Sequence, residues 1–169
     1  MNYLFWRKMN KNMDIAELRR QIDNGEFKLT GTTNTIESGI IVNSNGDSIE
    51  YEINHGWDII SANCCDRQWS SFNVKLLEHI EKRGYSEEEL RSIFSDIQIE
   101  HLHWDWFKKS ICYTDDGYEW FYMFANGKLQ SACLIYHPKE SAFEPGDIFY
   151  IEFVAVAPGQ WLHSPGTNR

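Results

Sequence analysis

The hydrophobic pattern of the chain predicts an amino-terminal helix followed by a β-hairpin. Apolar residues recur at helical spacing from Ile15 to Ile22, and Asp14 is placed to cap that helix. Two apolar segments, 39–42 and 48–53, then flank Asn45-Gly46, a pair that favours a hairpin turn. The second segment alternates apolar residues with glutamates, which predicts a half-buried strand.

The middle of the chain predicts three helices. The longest runs from about Asp66 to Lys82, because its apolar residues recur on one helical face. A second helix begins after Ser86, since Glu89 three residues later completes a capping box. A third covers part of 99–109. The apolar face of the first of these helices consists of Trp69, Phe72, Leu76, Leu77 and Ile80.

The carboxy-terminal part predicts a meander of three strands. Strands at 118–124 and 129–136 are joined by a short Asn-Gly turn, and a polar loop leads to a third strand at 148–157. The third strand is apolar at every position except Glu152. A strand with this pattern is usually covered on both faces, so we expect other segments to cover it.

Composition narrows the classes of function. The chain has 169 residues, of which 42% are hydrophobic, so one folded domain is expected. The formal charge is −9 and the basic residues are scattered, which argues against a nucleic-acid partner. No apolar segment is long enough to span a membrane, and no signal peptide is visible. Four cysteines without a C-x-x-C pair predict a cytoplasmic protein with reduced thiols.

Two short clusters are candidates for chemistry. His101 and His103 would share one face of a strand and could hold a metal ion, or they are ordinary surface histidines. Cys64 and Cys65 precede Asp66, where a helix start would lower a thiol pKa. Buried structural cysteine is the alternative interpretation.

The last strands resemble the central meander of the GNAT superfamily, the acyl-CoA-dependent N-acyltransferases. The segment from Ile151 to Pro158 is similar to the family's fourth strand, which often ends in "aV-x-P". The segment from Asn126 to Ile135 resembles the third strand. The resemblance implies acetyl-CoA as cosubstrate, held by the backbone of Val154, Ala155 and Val156. It also implies that Glu152 deprotonates the acceptor amine; a solvent-facing or Lys-paired carboxylate is the alternative.

One family motif does not occur in the sequence. The pattern Q/R-x-x-G-x-G/A, which forms the pyrophosphate-binding loop, is absent from the 169 residues. We therefore expect weak or no acetyl-CoA binding, and a GNAT fold without its carboxy-terminal half. The resemblance divides the chain into an amino-terminal extension at 1–55, with a helix and a β-hairpin, and a partial acetyltransferase domain at 56–169.

These inferences predict an α+β (α/β) fold with a mixed, mostly antiparallel GNAT-like sheet flanked by helices. The first function hypothesis is an N-acetyltransferase that transfers acetyl from acetyl-CoA to an unidentified amine, truncated and with little or no activity as this chain. The second is a non-catalytic interaction module in which a second copy or a partner chain pairs with the edge of the last strand. The third is a metal-dependent enzyme built on His101 and His103.

Overall fold

A computed structural model describes residues 14–26, 33–43, 45–97 and 105–157, with only the backbone of residues 72, 73, 96 and 97. The elements in chain order are α1 (Ile15–Asp23), β1 (Asn34–Val42), β2 (Ser48–His55), α2 (Ile59–Lys82), α3 (Glu87–Ile97), α4 (Trp106–Cys112), β3 (Tyr118–Ala125), β4 (Lys128–Glu140) and β5 (Asp147–Val156).

The strands form a single antiparallel sheet in the order β1-β2-β3-β4-β5. The predicted α+β class, with an antiparallel sheet and helices, is confirmed. The helices α2, α3 and α4 lie between β2 and β3 in the chain, yet these two strands pair directly, from Tyr51–Ala125 to His55–Phe121. The amino-terminal hairpin therefore continues the same sheet as the carboxy-terminal meander.

Side-chain caps set where the helices begin. Asp14 accepts a hydrogen bond from Ala16 N at 3.1 Å, as predicted. The capping box before α3 is also confirmed, because Ser86 N donates to Glu89 Oε2 at 2.8 Å and Glu89 N donates to Ser86 Oγ at 3.3 Å.

The predicted start of α2 is wrong. The helix begins at Ile59, seven residues before Asp66, because Asp58 is its cap and accepts from Ile60 N at 2.9 Å. Cys64 and Cys65 therefore lie inside the helix, where no free backbone N–H groups stabilise a thiolate. Leu77, a member of the predicted apolar face of this helix, is 46% exposed.

The core lies between one face of the sheet and the helices α2 and α4. Trp106 of α4 is fully buried and makes edge-to-face contacts with Trp69 at 6.2 Å and Trp120 at 6.1 Å between ring centroids. The buried members of this cluster are Ala62, Cys65, Trp69, Trp106, Trp120, Tyr122, Leu129, Ala132 and Leu134. This aromatic cluster thus supports β3 and β4, and β4 is the strand that pairs with β5.

The opposite face of the sheet and the edge at β5 are open in the part of the chain that the structure describes. We expected β5 to be covered on both faces, and among the described residues it is not. Phe149 is 67% exposed, Ile151 57% and Val154 53%. The apolar pattern gave a wrong prediction of coverage because it depends only on the side-chain type at each position. It carries no information about which other segments pack against the strand.

Candidate active site on strand β5

Glu152 lies at an irregularity of the last strand pair. Leu134 pairs with Phe153, and the next residue of β4, Ile135, pairs with Ile151, so Glu152 is an extra residue on β5. Such a β-bulge bends the strand and redirects side chains, and bulges are enriched beside active sites. The residue that interrupts the apolar sequence thus also interrupts the ladder.

The backbone beyond the bulge presents hydrogen-bonding groups to an edge of the sheet that no other described strand pairs with. Ala157 N donates to Gln130 O at 2.6 Å, and the register continues without a shift from Val156 back to Phe153. Hydrogen-bonded and non-hydrogen-bonded pairs alternate along an antiparallel ladder. Ala155 therefore exchanges its bonds with β4, while the N–H and C=O groups of Val154 and Val156 point away from β4.

The side chains of this segment alternate between the two faces of the sheet. Phe153 and Ala155 pack against the aromatic core. Val154 and Val156 lie on the open face, 53% and 39% exposed, and Val154 pairs with Cys133 there. The edge therefore offers an apolar surface beside the outward backbone groups, an arrangement that suits an extended ligand with an apolar portion and amide bonds.

An aromatic cluster surrounds Phe153 on the helical side of the sheet. Tyr113, just after α4, contacts Phe153 edge-to-face at 5.3 Å and Tyr118 at 5.1 Å. Tyr118 also contacts Tyr136 of β4 at 4.9 Å. These rings fix the end of β5 that carries the bulge against α4 and β3.

Two ionisable groups in this cluster have shifted pKa values. Burial raises the pKa of the Tyr118 phenol, and the negative charge of Glu152 adds to the shift, which places that carboxylate in the electrostatic environment of Tyr118. Burial lowers the pKa of Lys109, partly opposed by the carboxylates of Asp105 and Asp66. The ammonium of Lys109 lies 4.5 Å from the centroid of the Phe153 ring.

The Glu152 carboxylate is partly exposed, and no ion pair to it occurs within the described ranges. The predicted alternative of a Lys-paired carboxylate therefore has no support among these residues. A carboxylate without a bound cation can accept a proton from an incoming amine, directly or through a water molecule.

The other predicted chemical groups fall outside this site. Cys65 is fully buried and burial raises the pKa of its thiol well above the usual value, so it lacks thiolate character. Cys64 is exposed on α2. His101 and His103 lie outside the described residues, and the described ones contain no group of three or more His, Cys, Asp or Glu side chains that could hold a metal ion.

Sequence reasoning missed Lys109, Tyr113 and Tyr118 as neighbours of the site. These residues lie 34 to 43 positions before Glu152, so their proximity depends on how α4 docks against β5. A weak signal was present in the sequence, since a lysine next to aromatic-rich segments favours cation–π contacts.

Comparison of the chain with protein-family models, with curated proteins and with solved structures gives no match.

Proposed function

We propose that the protein is a GNAT-like N-acetyltransferase in which β5 is the acyl-CoA-binding strand and Glu152 is the general base. One observation carries the proposal: a bulge at Glu152 lies two residues before Val154, whose backbone groups, like those of Val156, point outward from an edge that is unpaired within the described part of the chain. The resemblance of this strand to the fourth strand of the GNAT superfamily supports the same assignment.

The proposed reaction divides its chemistry between backbone and side chain. The edge groups of Val154 and Val156 hydrogen-bond the pantetheine arm, and an N–H group binds the thioester carbonyl oxygen as negative charge develops on it. Ala155 lies between them and holds this backbone in place through its own bonds to β4. Glu152 takes a proton from the amine as the C–N bond forms; the C–S bond breaks, and the departing thiolate receives that proton and leaves as the thiol.

The same proposal predicts how the cosubstrate is recognised. The pyrophosphate motif of the family does not occur in the sequence, so affinity depends on the pantetheine arm. Acetyl-CoA and acetylpantetheine, which lacks the nucleotide and pyrophosphate, should therefore bind with similar, weak affinity. We further infer that residues 1–55 act as an extension to the acetyltransferase unit at 56–169.

Isothermal titration calorimetry of residues 1–169 with acetyl-CoA and acetylpantetheine tests this proposal. We expect dissociation constants in the range of about 1 mM for both ligands, corresponding to about −4 kcal/mol of binding free energy. Val154→Pro removes the outward N–H and should abolish binding, while Val154→Ala keeps the N–H and should retain it. Equal binding by both variants, or acetyl-CoA binding far tighter than acetylpantetheine binding, would contradict the assignment.

A second candidate function follows from the exposed apolar residues on β5. Ile148, Phe149, Tyr150 and Ile151 are 38% to 67% exposed on an edge strand. Unpaired edge backbone beside apolar side chains favours strand addition by another chain. A non-catalytic interaction module would use this edge to pair with a second copy or a partner protein.

Light scattering after size-exclusion chromatography separates the two functions. Ile151→Lys places a charge on the exposed edge and should convert a dimer into a monomer if the strand pairs with a second copy. The matched variant Ile40→Lys on β1 should leave the mass unchanged. A monomeric wild-type protein that does not bind the dye ANS would contradict the interaction module.

The remaining inferences concern membranes, nucleic acids and the localisation of the protein. None of the helices in the described ranges is long and apolar enough to cross a bilayer. We infer no nucleic-acid partner from the formal charge of −9, because phosphate recognition needs clustered basic residues. Cytoplasmic localisation is proposed from the four cysteines, none of which the structure pairs in a disulfide.

A further inference from the structure

Lys109 occupies a distinctive position relative to the proposed acyl-transfer strand. Its ammonium lies 4.5 Å from the ring centroid of Phe153. In the chain, Phe153 stands between Glu152, the proposed base, and Val154, the proposed thioester-binding residue. The side chain of Lys109 therefore lies over the one residue of β5 that separates the proposed base from the proposed acyl-binding backbone.

We propose that Lys109 is an acetylation site of this protein, modified by its own bound acyl thioester. The proposal rests on the proposed function. The neutral amine of Lys109 attacks the thioester carbonyl carbon, a C–N bond forms and the C–S bond breaks. The proton lost by the amine passes to Glu152 and finally to the departing thiolate, so that the products are N-ε-acetyl-lysine and a free thiol.

The environment of Lys109 favours this reaction. Only an unprotonated amine is nucleophilic, and partial burial lowers the pKa of Lys109. The carboxylates of Asp105 and Asp66 oppose the shift, and the neighbouring Lys108 reinforces it. Tyr113 packs on the same Phe153 ring, at 5.3 Å between centroids.

The chain provides two matched controls. Lys139 of β4 also lies over an aromatic ring, 3.3 Å from the centroid of Tyr150, but on the far side of the bulge from Val154. Lys108 adjoins Lys109 in sequence and is exposed. A ring contact alone would make Lys139 equally reactive, and general exposure would favour Lys108.

The test incubates the full chain with acetylpantetheine, and separately with a limiting amount of acetic anhydride, and measures occupancy at each lysine by peptide mass spectrometry. We expect acetylpantetheine to modify Lys109 at least about fivefold more than Lys108 or Lys139. Glu152→Gln should reduce thioester-dependent labelling of Lys109 by about tenfold or more, as expected for loss of a general base. Labelling by the anhydride, which needs no bound thioester, should not change in this variant.

Thiol release in the presence of an added primary alkylamine is measured in the same samples, so that two failures can be separated. Thiol release with no preference for Lys109 would overturn the acetylation site and leave the proposed function standing. No binding and no thiol release, with Lys109 labelled only by the anhydride, would overturn both. Equal labelling of the three lysines by the thioester would also overturn the site.

Discussion

The two edge strands of the sheet share an irregular geometry and differ in what surrounds it. On β1 the extra residue is Ile36, because Thr35 pairs with Asn54 and Glu37 with Ile53. On β5 the extra residue is Glu152. Both strands also expose large apolar side chains, among them Val42 at 68% and Phe149 at 67%.

The surroundings separate the two edges. All nine residues of β1 are exposed. On β5, by contrast, Phe153 and Ala155 pack on the aromatic core, and Lys109, Tyr113 and Tyr118 converge near the bulge. An exposed edge with a bulge is therefore not by itself a site. What distinguishes β5 is that its bulge carboxylate acts on the Tyr118 phenol and that the next residue, Phe153, contacts Lys109 and Tyr113.

The largest expected effect tests whether Glu152 is the proposed base. Glu152→Gln should lower the rate of thioester-dependent acetylation of an added alkylamine by about 10²- to 10⁴-fold, the usual contribution of general-base catalysis. Glu37→Gln is the matched change on the other edge, where the carboxylate accepts a hydrogen bond from Tyr51 Oη at 2.6 Å. Thiol release measured with a chromogenic reagent should be unchanged in that control. A similar loss of acetylation rate in both variants would show that the carboxylate on β5 has no catalytic role that the carboxylate on β1 lacks.

The second prediction concerns stability and the core beneath β5. Leu134 is fully buried and pairs with Phe153, so Leu134→Ala should lower the free energy of unfolding by about 2–5 kcal/mol. Ile40 on β1 is 67% exposed, so Ile40→Ala should change it by no more than about 0.5 kcal/mol. Urea denaturation followed by tryptophan fluorescence measures both. A cost of several kcal/mol for Ile40→Ala would mean that β1 is covered in solution.

Local sequence signals predicted turns, helix caps and strand alternation well. The Asn-Gly turn between β3 and β4 forms with φ of 49° at Asn126 and 67° at Gly127, the positive values that a two-residue hairpin requires. The strand β2 is half buried at alternate positions, as its pattern indicated. Caps at Asp14 and Ser86 formed because their partners are only two or three residues away.

The errors arose where distant segments decide the outcome. The first turns of α2 were missed because small and polar residues at 61–64 interrupt its apolar periodicity, while the cap at Asp58 gave the true start. Glu152 was a candidate from the sequence because it alone interrupts an apolar run. Lys109 and Tyr118 were not, since the contact of Lys109 with Phe153 and the effect of Glu152 on Tyr118 exist only in the folded chain.

The third prediction concerns the carboxylate of Asp66, which links the helices α1, α2 and α4. Asp66 of α2 accepts hydrogen bonds from Trp106 N at 2.8 Å and Phe107 N at 3.1 Å, and its carboxylate lies 2.7 Å from Arg19 Nη2. Burial nevertheless raises the pKa of Asp66 to about 6, with Asp105 adding to the shift. The folded state therefore holds this proton at a higher pH than the unfolded state does.

The sign of the pH dependence follows from that difference. Between about pH 4 and pH 6 the folded state binds more protons at Asp66, so this group's contribution to stability falls as pH rises, by at most about 3 kcal/mol. Asp66→Asn removes the titration. The difference in unfolding free energy between wild type and variant, measured by urea denaturation at several pH values, should shift against the wild type as pH increases. A difference that is constant with pH, or that shifts in favour of the wild type as pH increases, would contradict the raised pKa.

The smallest expected effect compares the two hairpins through their turn glycines. Gly46 in the β1–β2 turn has φ of 88° and Gly127 in the β3–β4 turn has φ of 67°, and a Cβ at either position would meet no atom within 4 Å. Alanine should therefore cost about 1 kcal/mol of backbone strain at both sites. Because β3 and β4 form part of the core, Gly127→Ala should lower the global free energy of unfolding by that amount. Because β1 is exposed along its length, Gly46→Ala should instead accelerate amide exchange in β1 and leave exchange in β3 and β4 unchanged. An equal change in amide exchange across all five strands in both variants would show that the two edges unfold as one unit. The edges would then differ only in the chemical groups that surround them, not in local stability.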